Sequence, residues 1–86
     1  MNNNITNPAT AADLLPAEFF SKPFGERLRH LRTAADITQK EIARQLHVDR
    51  STYSYYEIGK TEPRISTLNI LSRIFNVPLD VFLRDL

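Results

Sequence analysis

Eighty-six residues make one domain, and a chain this short buries only about 60% of its unfolded surface, which leaves little room for an enclosed active site. The 42% hydrophobic and 24% charged composition is that of an ordinary soluble globular chain, and the absence of cysteine excludes a disulfide framework and thiolate metal sites. The net charge of +1 favours no partner by itself, but residues 22–60 hold eight Lys/Arg against five Asp/Glu, residues 1–21 hold two acids and no base, and residues 61–86 hold three of each. The positive excess therefore lies on the central stretch, where the footprint of a polyanion belongs.

No apolar run approaches the ~20 residues of a membrane span. The opening MNNNITNP lacks the basic and apolar regions of a signal peptide, so a cytoplasmic chain is expected. His30 and His47 have no neighbours at metal-ligand spacing. No carboxylate pair, nucleophile–base set or phosphate loop stands out. No metal, cofactor or enzymatic activity is expected.

Residues 1–22 read as an N-terminal extension. The first eight or so have too little apolar surface to offset chain entropy and are expected to be disordered. Leu14, Leu15, Phe19 and Phe20 differ, because each large apolar side chain gains roughly 1.5–3 kcal/mol when fully buried. A helical turn or an extended arm that docks on something is expected there.

Pro23 suits a first helical turn, and Phe24, Leu28, Leu31 and Ala35 recur at helical spacing, which predicts helix 1 over 23–35. Glu26, Arg27, Arg29 and His30 are expected to face out. Asp36 takes the left-handed position after the helix. Thr38-Gln-Lys-Glu41 is a capping box, with Ile37 and Ile42 as its hydrophobic staple, so helix 2 starts at Thr38 and buries Ile42, Ala43 and Leu46. His47 is expected at positive φ. Asp49 is an N-cap for helix 3 over 50–57, with Val48 and Tyr53 as staple, and Gly59 ends it. Only His47 and Val48 separate the two helices, so they cross sharply as a helix-turn-helix. Ser66 is the predicted N-cap of helix 4, with Ile65 and Ile70 as staple and Leu68, Leu71, Ser72 and Phe75 inward. Asn76 takes the left-handed position, and Pro78 opens a last short helix with Leu79, Phe82 and Leu83 inward. No segment alternates like a strand. The fold class is all-α: a compact five-helix bundle over 23–86 containing a helix-turn-helix, with an N-terminal extension.

The residues FGERLRHLR at 24–32, ITQKEIARQL at 37–46, VDRSTYSYYE at 48–57, Gly59-Lys60, Pro63 and NVPLDVFL at 76–83 carry a resemblance to the phage-repressor and Cro-type (XRE-like) helix-turn-helix family. It covers about 60 of the 86 residues in register. The resemblance implies that helix 3 enters the DNA major groove. It implies base-edge contacts from Arg50, Ser51, Ser54 and Tyr55. Arg50 is the best reader, because its fork matches O6 and N7 of guanine, while Tyr55 meets a thymine methyl or a phosphate. Thr38, Gln39 and Lys40 at the start of helix 2, and Lys60 past helix 3, take phosphates. Arg32 and Glu57 stand where some relatives pair in a buried ion pair between helices 1 and 3. Tyr53 and Tyr56 replace the family's aliphatic residues and are expected in the core, where a tyrosine hydroxyl needs a partner. Ile58 replaces a polar residue.

On the helical wheel Ile70 and Ile74 point outward from helix 4, and Val81 falls where the family places a polar residue. These apolar groups and those at 14–20 either cover each other or build a dimer interface. The expected function is a sequence-specific double-stranded DNA-binding transcriptional regulator, a repressor or autoregulator. It binds a pseudo-palindromic operator as a homodimer in the cytoplasm, associated with the nucleoid. The alternative is a protein-interaction module, such as an antitoxin, that recruits a protein partner through the N-terminal arm.

Overall fold

The computed structural model of the chain describes Leu15, Glu18, Phe19 and residues 22–83. Five helices follow one another: α1 Phe24–Ala34, α2 Gln39–Leu46, α3 Arg50–Ile58, α4 Ile65–Phe75 and α5 Asp80–Leu83. No strand occurs among the described residues. Leu14 and Phe20, two of the four apolar residues expected to dock from the extension, lie outside the described residues.

The four breaks between α1 and α5 share one device. Asp36, His47, Gly59 and Asn76 have φ of 60°, 59°, 79° and 53°. After each, a backbone N–H turns back to the last carbonyls of the preceding helix: Ile37 to Arg32 at 3.1 Å, Val48 to Ala43 at 3.0 Å, Lys60 to Tyr55 at 2.9 Å and Val77 to Ser72 at 3.0 Å. This is the Schellman closure, which satisfies carbonyls that the helix itself leaves open. Three of the four positions hold Asp, His or Asn, the residue types that tolerate the left-handed region best after glycine.

The apolar stripes meet in one core: Leu28 and Leu31 from α1, Ile42, Ala43 and Leu46 from α2, Tyr53 and Tyr56 from α3, Leu68 and Leu71 from α4, with Val77, Val81 and Phe82. α3 lies against both α1 and α2. Its approach to α1 requires Gly25: a Cβ there would lie 2.2 Å from the Glu57 carbonyl oxygen and 2.8 Å from that of Tyr56. Backbone cannot yield as a flexible side chain can, so Gly25→Ala is expected to destabilise by about 3 kcal/mol or more, at or beyond the upper end for overpacking, despite alanine's higher helix propensity. Urea unfolding checks this, and a neutral result would mean that α1 and α3 stand further apart.

Part of the arm belongs to this core. Glu18 and Phe19 form a short 3₁₀ turn. Phe19 is buried, with its ring edge-on to His30 at 5.3 Å between centroids, and Leu15 packs on the same cluster. These two side chains are spent on the chain's own fold.

Several sequence-based expectations need correction. Arg27 does not face out. It is fully buried, and its Nη2 donates to the Phe82 carbonyl 3.5 Å away, at the C-terminal end of α5 where carbonyls lack helical partners. Ala35 is exposed at the C-cap rather than inward. The capping box at Thr38 is half formed: its hydroxyl accepts the Glu41 N–H at 3.1 Å, but the Glu41 carboxylate turns to Arg44 and Gln45 instead. Asp49 holds the N-cap of α3 without a side-chain bond. α4 begins at Ile65 with Arg64 as N-cap, two residues earlier than a Ser66 cap, so Ile65 is exposed and forms no staple. α5 is one turn starting at Asp80, and it directs Val81 into the core with no exposed surface, not outward.

Candidate nucleic-acid interface

α3 divides its residues cleanly. Tyr53, Tyr56 and Glu57 are buried, while Arg50, Ser51, Tyr55 and Ile58 are exposed and Ser54 is half-buried between them. Spacings of one, four, five and eight residues from Arg50 put these five on one stripe of the helix. The exposed stripe carries a guanidinium, two hydroxyls and a phenol flanked by one aliphatic group, the mixture that reads base edges and methyls.

The other sequence-predicted contacts sit beside this stripe or at its ends. Thr38 and Lys40 are exposed at the N-terminus of α2, and Gln39 is half-buried between them. The free N–H groups and positive dipole end there favour an anion. Past the other end of α3, the Lys60 ammonium lies over the Tyr55 ring, 4.6 Å from its centroid. That cation–π contact places both side chains together on the surface. Arg64 is a further exposed cation on the loop that follows, lining a shallow groove with Thr52, Thr61, Glu62, Ser66 and Thr67.

Behind the stripe lies a buried polar cluster. Arg32 Nε meets Glu57 Oε2 at 2.6 Å, and Arg32 Nη2 meets Oε1 at 3.3 Å. Arg32 also donates to the Ile37 carbonyl at 2.9 Å. The Tyr53 hydroxyl, whose partner the sequence left open, donates to Glu57 Oε2. Burial pushes the Glu57 carboxyl up, but hydrogen bonds from Arg32, Tyr53 and Gln39 outweigh it and hold the group below the ordinary glutamate range. The same bond to Glu57 raises Arg32, and burial raises Tyr53. The three groups thus stay carboxylate, guanidinium and phenol through the neutral range.

Gln39 joins this cluster to the stripe. Its Nε2 donates to Glu57 Oε1 at 3.0 Å and its Oε1 accepts from Arg50 Nη1 at 3.1 Å. The family resemblance implies only a phosphate contact for Gln39, and the structure adds this link. The pattern that would have revealed the link, a glutamine opening α2 opposite an arginine opening α3, becomes visible only once the turn angle is known. Among the described residues, no three His, Asp or Glu side chains gather as a metal site, and no helix is long and apolar enough to cross a membrane.

Comparison with known proteins settles the family. The helix-turn-helix family profile matches residues 28–82. The chain belongs to this helix-turn-helix family. It is 44% identical over 61 residues to the SPbeta prophage-derived uncharacterized HTH-type transcriptional regulator YonR of Bacillus subtilis, covering 71% of this chain and 56% of that protein. It is 40% identical over 60 residues to the HTH-type transcriptional activator BcrR of Enterococcus faecalis, covering 70% of this chain and 29% of that protein. The matched region thus spans about half or less of these curated relatives. Among solved structures, the DNA-binding domain of the P22 c2 repressor superposes with a TM-score of 0.68 at 28% identity, covering 74% of this chain and 84% of that one. The same repressor in complex with a synthetic operator gives 0.67 at 28% identity, covering 71% and 92%. In this helix-turn-helix chain, α2 and α3 are the two helices of the motif, and His47-Val48 is its turn.

Proposed function

We propose that the chain is a sequence-specific double-stranded DNA-binding transcriptional regulator that reads the major groove with α3. The observation that carries this reading is the exposed stripe Arg50, Ser51, Ser54 and Tyr55 on a helix whose opposite face is locked into the core. Thr38, Lys40 and the backbone N–H of Gln39 at the α2 N-terminus, with Lys60 beyond α3, supply phosphate contacts on either side of it. The repressor–operator complex of the P22 c2 protein, which shares the fold and 28% of its sequence, supports the reading.

In this reading residues 23–86 form the DNA-binding module, and two copies bind a pseudo-palindromic operator. Single modules of this size bury a small interface on DNA, so pairing supplies affinity. Ile70 and Ile74 are half-buried on α4, and Ile65 is 66% exposed at its start. Among the described residues these α4 groups form the homodimer contact, Val81 being taken by the core. The protein works in the cytoplasm, associated with the nucleoid.

Two substitutions separate reading from anchoring. Arg50→Ala is expected to cost about 1–3 kcal/mol and to relax preference at one base pair. Lys60→Ala is expected to weaken all duplexes alike and to reduce the slope of log affinity against log salt by about one. Fluorescence anisotropy on duplex variants measures both. Equal loss of preference from the two substitutions would contradict the assignment.

A further inference from the structure

Polar groups of α2 and α3 meet at Gln39, and their order decides which end of its amide faces outward. The Glu57 carboxylate, with its side chain 3% exposed, is an acceptor only. It therefore fixes the Gln39 NH2 inward at 3.0 Å and leaves Oε1 as the outward atom. The two ends of an amide have nearly the same shape, so shape alone would not choose between them. With the oxygen outward, Gln39 accepts Arg50 Nη1 at 3.1 Å. With the nitrogen outward, two donors would face each other and Arg50 would swing free. The bond to Gln39 uses one of five guanidinium donors and leaves the Nε–Nη2 edge for a guanine.

We propose that Glu57 is a positioning residue for recognition: acting through Gln39, it holds Arg50 at the bearing from which Arg50 reads its base pair. A buried carboxylate that does not touch DNA then sets specificity at one operator position. The proposal rests on the reading of Arg50 given above. Holding a long side chain in place before binding also lowers the rotamer entropy lost on contact.

The test uses the full chain, a selected duplex and its three single-base-pair variants at the position whose preference Arg50→Ala erases. Ratios of affinity between duplexes are compared, because a reduced folded fraction cancels from them. Gln39→Ala is expected to lower discrimination at that position about three- to tenfold, the worth of one hydrogen bond, with other positions unchanged. Glu57→Gln is expected to lower discrimination at the same position and to add nothing in a Gln39→Ala background. Should Glu57→Gln fail to fold, NMR of the free wild-type chain gives a second readout: a rigid Arg50 guanidinium that Gln39→Ala releases. The proposal is overturned if Gln39→Ala weakens all four duplexes equally, which would leave Gln39 a phosphate contact. It is also overturned if Glu57→Gln adds further loss in that background, or if the wild-type guanidinium already rotates freely. Loss of no preference at all in Arg50→Ala would instead sink the reading of Arg50, and the proposal with it.

Discussion

Glu57→Ala is expected to lower stability by about 3–5 kcal/mol, the cost of breaking a buried ion pair from one side. In a domain of this size that is a drop in Tm on the order of 15 °C or more. The reason lies in what the carboxylate leaves behind. Arg32, 12% exposed at its side chain, would keep its charge and its bond to the Ile37 carbonyl but lose the carboxylate that neutralises it. The Tyr53 hydroxyl, on a residue with no exposed surface, would lose its acceptor. The pair Arg44–Glu41 provides a control. Its side chains are 74% and 40% exposed, three residues apart on one helix, and Arg44→Ala is expected to leave Tm unchanged within error. Equal losses from the two substitutions would contradict the burial argument.

The same carboxylate makes stability depend on acid. Its folded value lies below the ordinary 4.5, so its contribution is present above about pH 4.5 and is lost as the pH falls through the folded value. The Tm difference between the wild type and Glu57→Gln is therefore expected to be constant from pH 7 down to about 5 and to shrink below that. A difference that grows on acidification would reverse the sign of the argument.

Phe19→Ala is expected to cost about 3–5 kcal/mol, as for other large-to-small changes of a buried aromatic ring. Phe19 is 1% exposed and meets His30 edge-on, so truncation leaves a ring-sized hole and removes an aromatic contact. Ile58, 69% exposed on α3, is the comparison: Ile58→Ala is expected to change stability little. Chemical denaturation of the two variants decides whether the segment before α1 belongs to the fold. If Phe19→Ala unfolds at the wild-type midpoint, the arm does not hold the core.

What could be seen in the sequence was local. The left-handed positions at Asp36, His47, Gly59 and Asn76 follow from residue type and from the ends of apolar stripes, and all four are found. The buried Leu28 and Leu31 of α1 and the buried stripe of α2 follow from helical spacing, and the burial of Tyr53 and Tyr56 from the family resemblance. What could not be seen depends on distant neighbours. Gly25 looks like a weak point in a helix until the Glu57 carbonyl is placed against it. Arg27 looks solvated until α5 offers a carbonyl. Val81 stands where the family places a polar residue, yet packing of the four-residue α5 against the rest of the chain turns it into the core. The interface divides the same way. The stripe on α3 was legible as a face, but the bond from Arg50 through Gln39 to Glu57 joins residues 11 and 18 positions apart and needs the angle between helices.

Selection of binding sites from random duplexes tests the central claim most directly. DNA reading by α3 in paired copies predicts an enriched pseudo-palindrome whose half-sites lie about one helical turn (~10–10.5 base pairs), or a multiple of it, apart, with affinity falling steeply as salt rises. No enrichment, together with no duplex binding at about 50 mM salt, would contradict it.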